Sequence, residues 1–210
     1  MEIEGVQVVG HPLLQRDVTL LRDEKTTHGQ FRHILSGASS YLAYEALRCV
    51  RTRPVSVRTP LETAEGVALD ETVVVVPILR AGLGMVDGFI RFLPEARVGH
   101  LGMYRDENTH EPVDYYSNLP RGLETALVVV VDPMLATGGS ASSAISHLKT
   151  AGARRLLMVC LVAAPEGVRV LRQAHPDVYI VTAVVDRELD ENAYIRPGLG
   201  DAGDRTYGTL

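Results

Sequence analysis

Residues 127–145 constrain the fold of this chain more than any other segment. Residues 127–131 form an unbroken apolar run that stops at Asp132 and Pro133. A run so short, bounded by an acid and a proline, reads as a strand buried on both faces. After Pro133, Met134, Leu135 and Ala136 come Thr137, Gly138, Gly139 and Ser140, then small residues up to Ile145. That pattern predicts a tight turn at the start of a helix. Strand, acid, glycine turn and helix together make an anion site in α/β proteins. The unpaired N–H groups of the first helical turn converge, and the helix dipole favours negative charge there. A phosphate ester suits such a turn, with Asp132 placed to accept hydrogen bonds from sugar hydroxyls. No lysine follows the glycines, so this is not a Walker A loop, and the spacing is not the G-x-G-x-x-G of a dinucleotide site.

The same alternation recurs along the chain. Strands are expected at 72–76, 98–104, 156–162 and 178–185, with smaller ones at 6–9, 55–59 and 67–69. Helices are expected at 17–24, 30–50, 83–92, 141–149 and 166–174. This order predicts an α/β fold, a largely parallel twisted sheet flanked by helices on both faces, within a single domain over 1–210. A polar, proline-marked stretch at 106–119 reads as a small excursion from the sheet and a cover for the site. Such sheets bind ligands beyond the carboxyl ends of their strands. Three expected strand ends carry chemistry: 77–84, 103–105 and 132–140. In the first, Gly82 and Gly84 permit close backbone approach, and Arg80 can grip two anionic oxygens in its planar fork. Arg105 ends the second.

Composition narrows the partners. The net charge is 21 − 26 = −5, so neither nucleic acid nor an anionic membrane finds a general electrostatic footprint. Anion binding must come from local donors. No apolar run reaches the length of a membrane span, and no signal peptide is visible at the start, which points to the cytoplasm. Cys49 and Cys160 sit far apart in apolar surroundings and read as small, reduced core residues. The seven histidines form no close-spaced metal-ligand pair. The tail at 194–209 carries Gly198, Gly200, Gly203 and Gly208 among the apolar anchors Tyr194, Ile195, Leu199 and Tyr207. It reads as a tightly folded loop that exposes backbone N–H and C=O groups, suited to a flat ring such as a pyrimidine.

Several motifs carry a resemblance over nearly the whole chain: Pro-Ile-Leu-Arg-Ala-Gly-Leu-Gly-Met at 77–85, Gly-Met-Tyr-Arg at 102–105, Val-Asp-Pro-Met-Leu-Ala-Thr-Gly-Gly-Ser at 131–140, Val-Ala-Ala-Pro-Glu-Gly at 162–167 and Tyr-Ile-Arg-Pro-Gly-Leu-Gly-Asp-Ala-Gly-Asp-Arg at 194–205. Together they resemble the uracil phosphoribosyltransferases, a branch of the type I phosphoribosyltransferases. Pro133 stands where the wider superfamily usually has a second acid, and the uracil branch carries Asp-Pro there. The resemblance implies transfer of the phosphoribosyl group of phosphoribosyl diphosphate (PRPP) to N1 of uracil, giving UMP and diphosphate, in pyrimidine salvage. It implies PRPP binding by Arg80, Arg105, Asp132, Pro133, Met134, Leu135, Ala136, Thr137, Gly138, Gly139, Ser140 and Asp201. It implies uracil binding by Ile195, Gly200, Asp201 and Ala202. No residue is assigned as nucleophile or general base. Mg²⁺ would travel with PRPP on diphosphate, ribose and water oxygens, with no direct protein ligand. The resemblance further implies a homo-oligomer, with GTP as an effector in some members. Two rivals stand beside this reading. A purine on the same machinery is disfavoured by the backbone-rich loop at 198–203, which suits the smaller ring. A regulator that binds RNA is disfavoured by the lack of a basic stripe and the intact Arg80, Arg105 and Asp132.

Overall fold

The computed structural model describes residues 3–105 and 112–209. Its first half contains β1 (Val6–Val8), α1 (Pro12–Arg22), α2 (His28–Ala46), β2 (Thr52–Arg58), β3 (Thr63–Leu69), β4 (Val73–Leu79), α3 (Leu83–Phe92), β5 (Arg97–Val98) and β6 (His100–Arg105). Its second half contains β7 (Pro112–Asn118), β8 (Leu127–Val131), β9 (Met134–Leu135), α4 (Gly139–Thr150), β10 (Arg155–Ala163), α5 (Pro165–Ala174), β11 (Tyr179–Val185), β12 (Glu188–Leu189), β13 (Ile195–Arg196) and α6 (Ala202–Tyr207). The main sheet runs β1-β11-β10-β8-β4-β6-β7, with β5 beside β4 and β9 beside β10. Every pairing in it is parallel except β6 with β7.

The central strands are apolar throughout because both faces are covered. Alternate residues point to opposite sides, as the two-residue period of a strand requires. Val73, Val75, Val129 and Val131 join the core beneath Leu14, Phe31, Leu35, Met85 and Phe89 of α1, α2 and α3. Val74, Val76, Val128 and Val130 join the opposite core with Ala144, Ile145 and Leu148 of α4 and Val168 and Leu171 of α5. Each valine buried this way stabilises the fold by about 1.5–3 kcal/mol before the entropy of ordering it.

The expected elements appear, with shifted edges. Helix α1 begins at Pro12 rather than at residue 17. Proline, with φ pre-set and no N–H to lose, favours the first helical turn, and His11 Nδ1 caps it by accepting from Leu13 N at 3.2 Å. Strand β4 does not stop at Pro77 but reaches Leu79. Pro77 closes the pairing with β8 and precedes the pairing of Ile78 and Leu79 with β6. Residues 52–54, between the expected helix at 30–50 and the expected strand at 55–59, already belong to β2, which forms an antiparallel hairpin with β3 apart from the main sheet. The expected excursion at 106–119 is corrected over its second half: 112–118 is β7, hydrogen-bonded antiparallel to β6 at the sheet edge. The remainder of the expected cover, 106–111, lies outside the described residues. Both cysteines are free, but only Cys160 is a core residue; Cys49 is exposed. Among the described residues, no helix is long and apolar enough to cross a membrane.

Candidate active site

The site grows from the carboxyl end of β8. Asp132 leaves the strand with its own N–H donating to Val159 O at 3.2 Å, and its Oδ1 accepts from Met134 N at 3.3 Å. Pro133 O then accepts from both Leu161 N and Val162 N at 3.0 Å, and Leu135 O accepts from Ala164 N at 2.9 Å. The loop is thus stitched to β10 through its backbone before it turns. The turn is made by Gly138, whose φ of 83° lies in the left-handed region that glycine alone enters freely. Thr137 Oγ1 accepts from Gly139 N at 3.4 Å. No side chain of Gly138 caps α4, so the start of this helix offers backbone donors to an anion.

Two other segments are pressed against this loop. Gly82, after β4, sits so close to the end of β8 that a Cβ there would collide with Val131 O and lie 2.7 Å from Ile78 O. Only glycine lets the 80–84 turn seat itself beside Asp132. The third segment is the tail, which is not a simple loop. Strands β12 and β13 pair antiparallel, Leu189 opposite Ile195, and α6 follows with Asp201 as its N-cap, Oδ1 accepting from Asp204 N at 2.9 Å. A cavity of about 270 Å³ separates the two walls. Met134, Ala136, Thr137 and Ser140 line one side; Asn192, Ala193, Tyr194, Ile195 and Asp201 line the other.

Electrostatics mark the rim. Asp132 is half-buried, and burial pushes its carboxyl up to about 7; the Met134 hydrogen bond opposes the rise and Asp201 adds to it. A group that gains from a cation or from hydroxyl donors therefore stands at the strand end. Arg80 reaches across to α6: its Nη2 donates to Asp204 Oδ1 at 3.0 Å, and Tyr207 OH donates to Arg80 O at 3.2 Å. Its side chain is still 54% exposed. The hydrogen bond from Thr209, followed by Arg80, holds the Asp204 carboxyl below its usual range.

Of the residues singled out from sequence, Met134, Ala136, Thr137, Ser140, Ile195 and Asp201 share the cavity wall. Pro133, Gly138 and Gly139 shape the turn behind it. Leu135 and Ala202 are core residues, able to meet a ligand only through their backbone. Gly200 takes a φ of 76° just before α6. Arg105 ends β6, opposite Pro112 of β7. Sequence reasoning missed Asn192 and Ala193, and it missed what holds the tail in place. Arg22 of α1 donates to Asp186 through two nitrogens at 2.8 and 2.7 Å and to Gly198 O at 2.8 Å. Gly198 N in turn donates to Asp186 Oδ2 at 2.9 Å. Arg205 donates to Leu21 O, to Leu199 O at 2.9 Å and to Asp23 O at 2.6 Å, and lies over the Phe31 ring. Paired arginines and aspartates far apart in sequence were the available signal, but sequence alone gave no means of matching them.

A largely parallel sheet flanked by helices, with an acid-led glycine turn at one strand end and a cavity beside it, is the arrangement of the type I phosphoribosyltransferase fold. An adenine phosphoribosyltransferase from Trypanosoma brucei shares this fold at a TM-score of 0.61 and 11% identity, over 95% of this chain and 89% of that one. Residues 8–209 match the family model for uracil phosphoribosyltransferase. The uracil phosphoribosyltransferase of Salinibacter ruber is 65% identical over 99% of both chains. The solved AQ2163 protein of Aquifex aeolicus superposes with a TM-score of 0.91 at 38% identity, covering 96% of this chain and 97% of its own. The chain belongs to the uracil phosphoribosyltransferase family. It is a phosphoribosyltransferase enzyme, and the reaction of its family is PRPP-dependent transfer to uracil.

Proposed function

We propose that this cavity and its rim carry the transfer, with the residues in the following roles. The 5′-phosphate of PRPP sits on the turn from Pro133 to Ser140 at the start of α4. Asp132 takes the ribose hydroxyls. Arg80 and Arg105 hold the diphosphate and stabilise its growing charge as it leaves. Ile195, Gly200, Asp201 and Ala202 read uracil, mainly through backbone groups. The observation that supports this reading best is the shared cavity: Thr137 and Ser140 face Ile195 and Asp201 across it.

The chemistry needs no protein nucleophile. The bond from C1 of the ribose to diphosphate weakens, positive charge grows on the ring, and uracil N1 attacks from the opposite face. What the chain supplies is placement of both reactants and fixed donors aimed at the leaving group. Asp201 is already held by its capping hydrogen bond, so the base wall needs little reorganisation. Arg80, anchored on Asp204 and still partly exposed, has donors left for an anion.

Mg²⁺ fits the donors present. It prefers one or two carboxylates plus substrate oxygens and water, and the charge of Asp201 adds to the rise of the Asp132 carboxyl. Among the described residues no group of three or more His, Cys, Asp or Glu could hold a metal ion. When bound, it would neutralise charge on the diphosphate. PRPP and water oxygens would hold it, with Asp201 reaching it through water.

The same reading places the enzyme in the cytoplasm, where Cys49 and Cys160 stay as free thiols. It also makes the enzyme a homo-oligomer, in keeping with the large apolar side chains exposed at Tyr44, Val67 and Phe92. The decisive assay is release of diphosphate from PRPP with uracil, adenine, guanine or hypoxanthine in turn. Release with uracil alone is expected; release with a purine instead would overturn the assignment of the base wall.

A further inference from the structure

The base wall owes its shape to a five-residue turn between β12 and β13. Asp190 N donates to Tyr194 O, and Ala193 N donates to Asp190 O, both at 2.9 Å. The Asp190 carboxylate does more than close the turn. Its Oδ1 accepts from Asn192 N at 3.0 Å and from Tyr194 N at 2.9 Å. Its Oδ2 accepts from Arg196 Nε at 2.7 Å, the residue after Ile195. The carboxylate itself is only 13% exposed. Within this cage Ala193 has a φ of 63°, the left-handed region that a side chain disfavours. Among the described residues it is the one non-glycine with a positive φ, and it lines the cavity between Asn192 and Tyr194.

A disfavoured backbone persists only where its surroundings over-determine it. Here the Asp190 side chain adds two acceptor contacts to the two backbone hydrogen bonds that close the turn. We propose that Asp190 is a positioning residue for base recognition: its carboxylate fixes the 190–196 turn so that Ala193, Tyr194 and Ile195 face the phosphate loop at the right distance for the base. This inference rests on the reading of the cavity given above. Asp190 touches no substrate in it and acts through the backbone of its neighbours. Hydrogen bonding from Tyr194 N, and then from the Arg196 side chain and Asn192 N, holds the carboxyl below its usual range, so the acceptor stays ionised through the neutral range.

Steady-state kinetics with PRPP and uracil, on the full-length wild type and three variants, test it. Asp190→Ala removes the side-chain oxygen that accepts from both backbone N–H groups. It is expected to raise KM for uracil roughly tenfold (about 1.4 kcal/mol), while KM for PRPP and kcat at saturating uracil change far less. Asp190→Asn keeps Oδ1 for the two N–H groups but replaces Oδ2 by an NH₂ donor, so it loses both the hydrogen bond and the charge toward Arg196; its KM for uracil is expected to stay within about threefold of wild type. Adding Ala193→Gly to Asp190→Ala removes the side chain that disfavours the turn and is expected to recover part of the uracil affinity. An unchanged uracil KM in Asp190→Ala overturns the proposal. So does an equal loss for both substrates, which a merely structural role would give, or a failure of Asp190→Asn to do better than alanine. A wild type that releases no diphosphate with uracil would instead overturn the underlying reading of the site.

Discussion

Replacing Asp132 with asparagine should make the protein more stable while removing its activity, and the gain should depend on pH. The folded-state carboxyl is raised from its ordinary 3.8 to about 7, chiefly by burial. The unfolded chain therefore binds fewer protons than the folded one between those values, and stability falls as pH climbs through that window. The penalty is small near the lower value and complete above the upper one. A rise of about three pH units at 1.36 kcal/mol each sets a ceiling of about 4 kcal/mol. Partial exposure of Asp132 and local relaxation bring the expected figure nearer to about 2 kcal/mol at pH 8. At pH 5 less than half of that should remain. Asparagine keeps an oxygen that can accept from Met134 N, so the turn is preserved. Urea unfolding of both proteins at pH 5, 6, 7 and 8 is the assay. For a chain of this size the gain at pH 8 corresponds to a rise in melting temperature of about 4–8 °C. A gain independent of pH would mean that repacking, not ionisation, is responsible. A less stable variant at pH 8 would refute the argument outright, because it would show the ionised carboxylate to be well solvated or paired.

Three further outcomes are expected. Gly138→Ala forces a side chain into the left-handed region, with its Cβ 2.8 Å from Gly167 O; a loss of about 2–4 kcal/mol in denaturant unfolding and a large rise in KM for PRPP are expected. Arg22→Met strands the buried Asp186, whose side chain is 4% exposed, and should cost about 3–5 kcal/mol. The double variant with Asp186→Asn should recover much of that in the same unfolding experiment, since no buried charge is left alone. Arg105→Ala should weaken PRPP use by about 2–4 kcal/mol in kcat/KM while barely changing uracil binding measured by calorimetry.

The two walls of the cavity differ in how far they could be read from sequence, and the difference is physical. The phosphate wall is built by neighbours along the chain. Its signals are an apolar run, the acid at Asp132, and the glycines that permit one turn, all within fourteen residues of each other. Elsewhere Pro12 and Pro77 misled at the edges of α1 and β4, because proline both ends elements and starts them, and only tertiary pairing decides which. The base wall is held from a distance. Arg22 meets Asp186 164 positions further on, and Arg205 meets Leu21 O 184 positions back. A backbone-built surface has no side chain of its own to advertise it, so the tail looked like a glycine-rich loop when it is a hairpin and a capped helix. That division also has a mechanical consequence. The phosphate turn is fixed by the sheet and cannot shift without breaking β10. The base wall is fixed by three carboxylate- or guanidinium-centred clamps, at Arg22, Asp190 and Arg205, that can be released one at a time. Substitutions at the clamps should therefore act mainly on the base, and substitutions in the turn mainly on PRPP. If removing a clamp such as Asp190 impaired PRPP and uracil alike, the two sides would have to be coupled more tightly than the half-exposed Arg80–Asp204 contact between them allows.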